Sequence, residues 1–250
     1  MTSPLPILVI ALGLAAATAA RADPRLDEVV YSPYIEKGEA ELETRAGREM
    51  GGPLAGEATT VLEAEYGVSD RVSLAIVGRF ERDAHGPLSL NAVGVEAVTY
   101  VGQIPGIGVD TGLYLEYDQG VQGGESVGEA KLLLARTSGR FQGLFNLIVE
   151  RPLGVPRGEG YASYGYAASA TWRTVGNLRL GAEAFGDLGS DRAFLGRQGA
   201  YVGPQLKWKA HPRHSPVTIT VDAGWLAAVG TDRREADSQL RLAVELERRF

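Results

Sequence analysis

The 250-residue chain contains no cysteine. Disulfide bonds, zinc–thiolate sites and cysteine nucleophiles are therefore excluded. Histidine is also scarce: His85, His211 and His214 all fall in stretches predicted as connections. Because these side chains are isolated or adjacent only along a turn, we predict no catalytic residue, no metal site and no cofactor.

Positive charge is in deficit, with 25 Lys and Arg against 31 Asp and Glu and a net charge of -6. An acidic protein is repelled by the phosphate backbone, so no nucleic-acid partner is predicted. A phosphate-binding loop is missing as well, because the glycine-rich stretch 120–124 is not followed by a helical pattern.

Long apolar runs are confined to the N-terminus. Leu5–Leu14 is almost wholly apolar, and Ala20-Arg21-Ala22 offers an A-x-A cleavage site. We predict residues 1–22 to be a cleaved secretory signal peptide; the alternative, an uncleaved anchor, would need a longer apolar run. No later run reaches about 18 apolar residues, so no transmembrane helix is predicted in the mature chain.

Glycine is abundant, with 33 residues, and separates segments in which apolar and polar positions alternate. Alternation with period two predicts β-strands, and no helical period is sustained after residue 23. Residues 23–36 are predicted to be an irregular periplasmic lead-in, and residues 37–250 to form the sheet. The predicted strands cover 37–49, 57–67, 71–82, 88–101, 108–118, 126–137, 140–151, 161–173, 177–188, 200–210, 216–228 and 237–250.

The connections between these strands alternate in length. Those after even-numbered strands are mostly short, and those after odd-numbered strands are mostly longer. This pattern is typical of outer-membrane barrels, whose short turns face the periplasm. Aromatic residues end strands on the short-turn side, which predicts an aromatic girdle formed by Tyr66, Trp172, Trp208 and Phe250.

A soluble β-sandwich would also show alternation, since it hides one face and exposes the other. The predicted strands are uniformly long, near the 9–11 residues or so that a tilted strand needs to cross a bilayer. Sandwich strands are nearer about five or six residues. We therefore predict an all-β fold, a 12-stranded antiparallel up-and-down transmembrane β-barrel in the outer membrane of a Gram-negative bacterium, in contact with outer-membrane lipid.

The last strand ends the chain with apolar residues at alternate positions and Phe250 as the final residue. It resembles the C-terminal assembly signal of bacterial outer-membrane proteins, which implies the barrel-assembly machinery as a partner; Arg248 departs from that pattern, where an apolar or aromatic residue is usual. Separately, the stretch Glu63–Leu74 resembles a hairpin of a loose group of proteobacterial outer-membrane proteins labelled as transporters or phenol-degradation MetA-pathway proteins. That second resemblance implies transport.

The charged face of the predicted strands would line the lumen. Buried charges are costly unless they are paired, so the lumen must hold water, or its charges must pair, or both. The strand number does not decide between a water-filled and a closed lumen. Barrels of about eight strands have an interior filled by side chains, barrels of about 16 strands have an open pore, and twelve lies between them. The candidates for a solute path are Glu63, Glu65, Arg79, Glu96, Glu116, Lys131, Arg179, Glu183, Lys207, Arg241 and Glu245.

Three functions remain open at this point. The first is a channel or transporter for passive diffusion of small polar or aromatic solutes through a charged lumen. The second is a closed structural or surface-interaction barrel without transport, in which the luminal charges cross-link one another. The third and least favoured is an outer-membrane lipid hydrolase, for which the chain shows no nucleophile–base pair.

Overall fold

The structure is a computed structural model that describes residues 26–121, 123–156, 160–196, 198–213 and 215–250. The predicted signal peptide, residues 23–25 of the predicted lead-in and His214 lie outside the described residues. Within the described ranges, no helix is long and apolar enough to cross a membrane.

Thirteen strands are present in the described part of the chain, and a short 3-10 helix, Thr231–Arg234, precedes the last of them. The strands are β1 (Glu39–Met50), β2 (Ala58–Ser69), β3 (Val72–Arg82), β4 (Ser89–Ile104), β5 (Val109–Gly120), β6 (Ser126–Ser138), β7 (Phe141–Leu153), β8 (Ser163–Arg173), β9 (Leu178–Ser190), β10 (Ala193–Phe194), β11 (Gly199–Ala210), β12 (Val217–Gly230) and β13 (Ser238–Arg249).

The sheet closes on itself. Neighbouring strands pair antiparallel in chain order, and β13 pairs with β1 from Glu39↔Arg249 to Met50↔Ser238. The two-residue β10 pairs only with the end of β9, whose wall neighbours are β8 and β11. Twelve strands therefore form the wall, and the sequence-based prediction of a 12-stranded antiparallel barrel is confirmed.

The two faces of the wall differ sharply in chemistry. The outer face exposes large apolar side chains, such as Leu42 at 60% and Ile76 at 66%. The inner face buries charged ones, such as Glu96 at 3% exposure and Lys131 at 4%. A soluble protein does not present an apolar exterior of this extent, whereas a membrane-spanning barrel requires it.

The two ends of the barrel also differ. Short turns join β2 to β3 and β6 to β7, and both ends of the wall-forming chain lie at this short-turn end. The predicted girdle residues Tyr66, Trp172, Trp208 and Phe250 lie here with exposed side chains. Longer loops, including the connection that carries the 3-10 helix, lie at the opposite, long-loop end.

Candidate functional site

Residues 26–36, here called the inner segment, lie inside the barrel. The sequence-based prediction describes residues 23–36 as an irregular periplasmic lead-in; residues 28–36 form neither helix nor strand and run within the lumen. Glycines on the wall let the segment pass close by. A Cβ at Gly47 would collide with the carbonyl of Leu26, and one at Gly112 would lie 2.7 Å from the Pro33 Cβ. The segment thus runs from the long-loop half of β1 to the short-turn end.

Side chains of the wall hold the inner segment by its charges. Asp27 forms an ion pair with Arg79 of β3, and the Glu28 Oε1 lies 2.5 Å from the Lys131 Nζ of β6. Both wall cations also contact wall carboxylates, so the segment joins networks that already exist. Hydrogen bonds between ionised groups are stronger than those between neutral groups, so these contacts stabilise the position of the inner segment.

Tyr31 is the centre of the inner segment. Its backbone N–H donates to the Asn146 Oδ1 at 2.7 Å, and the Asn146 Nδ2 donates to the Tyr31 carbonyl at 3.0 Å. Its ring lies 4.5 Å from the Tyr114 ring between centroids, and the Lys131 Nζ lies 4.5 Å from its centroid. The reciprocal amide contact fixes the backbone while the ring packs against an aromatic and a cation.

Arg45 closes this region from the β1 side. Its Nη1 donates to the Tyr31 hydroxyl at 2.8 Å and to the Glu63 Oε2 at 2.9 Å. Its guanidinium also lies 3.9 Å from the Glu96 Oε1. Tyr31, Arg45, Glu63, Glu96 and Tyr114 together are called the partition below.

The inner segment also packs against an apolar part of the lumen. Val30 contacts a buried cluster on β8, β9, β11 and β12 that includes Phe185, Tyr201 and Leu226. Ile148 of β7 packs against the same cluster. This side of the lumen is filled by side chains, so water and solutes are excluded from it.

A cavity of about 490 Å³ lies toward the short-turn end and is called the short-turn chamber. Its lining includes twelve acidic and five basic side chains. The Lys207 side chain is 37% exposed and that of Lys209 is 44% exposed, although both point into the lumen. Water therefore reaches into this chamber from the short-turn mouth.

A second cavity of about 150 Å³, the long-loop chamber, lies on the other side of the inner segment. It is lined by Arg79, Glu116 and Lys131 and extends to the exposed Glu125 near the long loops. Arg79 is bound there by Glu116 at 2.8 Å and Asp118 at 3.0 Å.

The two chambers meet at the inner segment. Five residues line both of them: Asp27, Glu28, Val29, Tyr31 and Arg45. A path that joins the two chambers there runs beside these residues, four of which belong to the inner segment.

The predicted solute-path residues divide between these regions. Arg79, Glu116 and Lys131 line the long-loop chamber, whereas Glu96 lies in the partition. The other predicted solute-path residues line the short-turn chamber: Glu63, Glu65, Arg179, Glu183, Lys207, Arg241 and Glu245.

Sequence reasoning missed two residues that build the site, Tyr31 and Asn146. Neither lies in a charged alternation pattern, and Tyr31 precedes the first strand. A signal for the first was present: the stretch Val29–Tyr31 is apolar and aromatic, which is unusual for a solvated lead-in. Asn146 stands at an inward position of a strand whose other inward residues are mostly apolar.

Two further groups of polar side chains lie toward the short-turn end. Carboxylate oxygens of Glu41, Glu43 and Glu245 lie within 4.8 Å of one another, and the Lys207 Nζ lies 3.4 Å from Glu245. His211 is exposed in a turn, where its Nδ1 lies 3.0 Å from the Thr218 hydroxyl.

Tyr34 marks the short-turn mouth of the lumen. Its hydroxyl donates to the Asp110 Oδ2 at 2.8 Å. Partial burial and the contact with the carboxylate raise the pKa of Tyr34 to about 12. The phenol therefore stays protonated at neutral pH and keeps this end of the inner segment attached to β5.

Comparison with known proteins shows likeness of fold. Neither a protein-family model nor a curated protein matches the chain. The solved structure of the COG4313 outer membrane channel from Pseudomonas putida F1 matches with a TM-score of 0.58 and 11% identity, over 89% of this chain and all of that one. LpxR from Salmonella typhimurium matches with a TM-score of 0.44 and 10% identity, over 84% of this chain and 100% of that chain. By closed topology and by this likeness, the chain has the fold of an outer-membrane β-barrel and is similar to the COG4313 channel in architecture.

Proposed function

We propose that the protein is an outer-membrane channel for passive diffusion of small polar solutes, with cations favoured. The observation that supports this most strongly is the short-turn chamber, a cavity of about 490 Å³ with twelve acidic and five basic side chains in its lining. A water-filled vestibule of one predominant charge concentrates ions of the opposite sign.

The partition would act as the constriction of this channel. Solutes would leave the short-turn chamber beside Tyr31 and Arg45 and enter the long-loop chamber beside Lys131. The rings of Tyr31 and Tyr114 offer an aromatic face there, which suits flat aromatic as well as polar solutes. Size exclusion at the partition and the field of the chamber would together set the selectivity.

Glu41 and Glu65 provide the sharpest test of the chamber's field. They stand directly opposite each other on β1 and β2, and both line the short-turn chamber. In planar bilayers, the wild-type chain should give discrete, cation-selective steps. The variant Glu41→Gln/Glu65→Gln should show a lower ratio of cation to anion permeability, because two negative charges leave the vestibule.

Lys209→Gln is the matched control, since it removes a charge of opposite sign from the same mouth. Its permeability ratio should move toward cations. Equal ratios in all three proteins would contradict the proposal that luminal charge selects the solute.

A closed structural or surface-interaction barrel is the second candidate, and the buried contacts of the partition favour it. Arg45 is enclosed by Glu43 at 3.0 Å and Glu63 at 2.9 Å, with 5% of its side chain exposed. A chain that shows heat-modifiable migration but gives no conductance would support this alternative over the channel.

Location and assembly complete the proposal. The exposed apolar belt fits a bilayer, and the short-turn end, where β1 begins and β13 ends, would face the periplasm. Export would use the N-terminal signal peptide. The barrel-assembly machinery would read β13, which closes the barrel against β1 and ends beside Phe250.

A further inference from the structure

In the strands that the structure describes, the charged side chains of the outer face are all positive. Inward and outward positions alternate along each wall strand, and the register fixes which residues share a face. Among the described strand residues, no Asp or Glu points outward. The outward charged residues are Arg48, Arg82, Arg136, Arg151 and Arg248.

These arginines lie at the rims of the apolar belt, never at its middle. Arg136 and Arg248 stand near the short turns, whereas Arg48, Arg82 and Arg151 stand near the long loops. A lipid-facing Arg is strongly destabilising at the bilayer midplane and is tolerated near the interface. Rim positions therefore place each guanidinium at the depth of lipid headgroups.

Arg48 and Arg82 form a pair. Arg48 of β1 is directly opposite Ala58 of β2, and Ala58 is directly opposite Arg82 of β3. Strands two apart in a sheet are separated by about 10 Å, so the two arginines flank the small Ala58 on one patch. No larger side chain separates them on the outer face.

The pair has no anionic partner among the residues that the structure describes. Neither arginine forms an ion pair with a described carboxylate. The Arg82 Nη2 donates to the Gly56 carbonyl at 2.8 Å, which holds its guanidinium at the rim. Arg48 is exposed. Two outward guanidinium groups at headgroup depth are thus left to an external acceptor.

We propose that Arg48 and Arg82 form a binding site for a phosphate-bearing headgroup of a lipid in the leaflet around the long loops. Arginine presents a planar fork that matches phosphate oxygens, and such contacts are charge-assisted. Because no described strand residue turns a carboxylate outward, an anionic headgroup meets no repulsion from this part of the wall. This inference rests on the membrane placement proposed above.

Binding of lipid A to the full mature chain in detergent micelles tests the site. Native mass spectrometry would count bound bisphosphorylated lipid A on the wild type, on Arg48→Gln/Arg82→Gln and on Arg136→Gln/Arg248→Gln. The first variant should weaken the tightest binding about tenfold, because two charge-assisted contacts are lost. The second variant, which removes the same charge at the other rim, should bind like the wild type.

Three outcomes would overturn the proposal. One is unchanged binding by Arg48→Gln/Arg82→Gln. Another is equal binding of dephosphorylated lipid A to the wild type. The third is displacement of lipid A by millimolar inorganic phosphate, which would assign the pair to a free anion.

Two controls separate this site from the proposed channel. Arg48→Lys/Arg82→Lys keeps the charge and should retain part of the binding, and it serves if the Gln variant does not fold. Conductance of Arg48→Gln/Arg82→Gln should equal that of the wild type. A wild-type chain that fails to enter bilayers would instead refute the membrane placement itself.

Discussion

The partition and the short-turn mouth both set a basic side chain against carboxylates of the inner wall, yet they behave differently. At the partition, Arg45 is 5% exposed and surrounded by carboxylates. At the mouth, Lys207 is 37% exposed and reaches Glu245 at 3.4 Å. The difference comes from the inner segment, which fills the lumen beside Arg45 and leaves it open beside Lys207. A charge on the inner wall is therefore structural or accessible according to what lies opposite it.

Removal of Arg45 should have the largest effect on stability. Arg45→Ala leaves Glu43, Glu63 and Glu96 close together without their shared cation. Loss of one partner from a buried ion pair costs about 3–5 kcal/mol. Equilibrium unfolding of the vesicle-inserted protein in guanidinium should show a loss of that size; Arg45→Lys should recover part of it. A loss below 1 kcal/mol or so would mean that water reaches the partition.

A charge placed on the outer face of β13 sharpens the contrast between the two faces. Arg241 lines the short-turn chamber, while its neighbour Leu242 is 48% exposed on the outside. Leu242→Arg should cost roughly 2–4 kcal/mol, because it places a guanidinium in the hydrocarbon layer. The same unfolding titration measures it, with Leu242→Ala as the control for lost side-chain volume. A variant as stable as the wild type would show that the assignment of faces is wrong.

Removal of a mouth charge should have the smallest effect. Lys207→Ala breaks a partly exposed contact, and exposed ion pairs contribute about 0–1 kcal/mol. Its unfolding midpoint should therefore stay close to that of the wild type. A loss as large as that of Arg45→Ala would erase the distinction between partition and mouth.

The wall of the barrel could be predicted from the sequence, because the polarity of each strand residue indicates whether its side chain faces lipid or the lumen. Leu240, Leu242 and Val244 alternate with Arg241 and Ala243, and the alternation predicts which of these side chains face outward and which face the lumen. The predicted strands agree with the observed ones to within a few residues, apart from β10, a two-residue strand too short to leave a pattern. Local chemistry thus determined strand position and orientation.

The filling of the lumen could not be predicted in the same way. Tyr31 and Asn146 meet across 115 residues of chain, and no periodicity links an irregular segment to a point on β7. Alternation along β1 places Arg45 on the luminal face, but whether Arg45 faces water or the inner segment depends on where the distant Tyr31 lies. In the sequence, a luminal charge that is accessible to water cannot be told from one that is buried in an ion pair, because the position of the inner segment decides between them.

Sided labelling of single cysteines tests the partition most directly, because the native chain has no cysteine that would react. Lys207→Cys lies in the short-turn chamber and Val127→Cys in the long-loop chamber. A bulky, membrane-impermeant maleimide is added to one side of oriented vesicles. We expect the thiol at position 207 to react only from the short-turn side and the thiol at position 127 only from the long-loop side. Comparable reaction of either thiol from both sides would show an open lumen and contradict the division into two chambers.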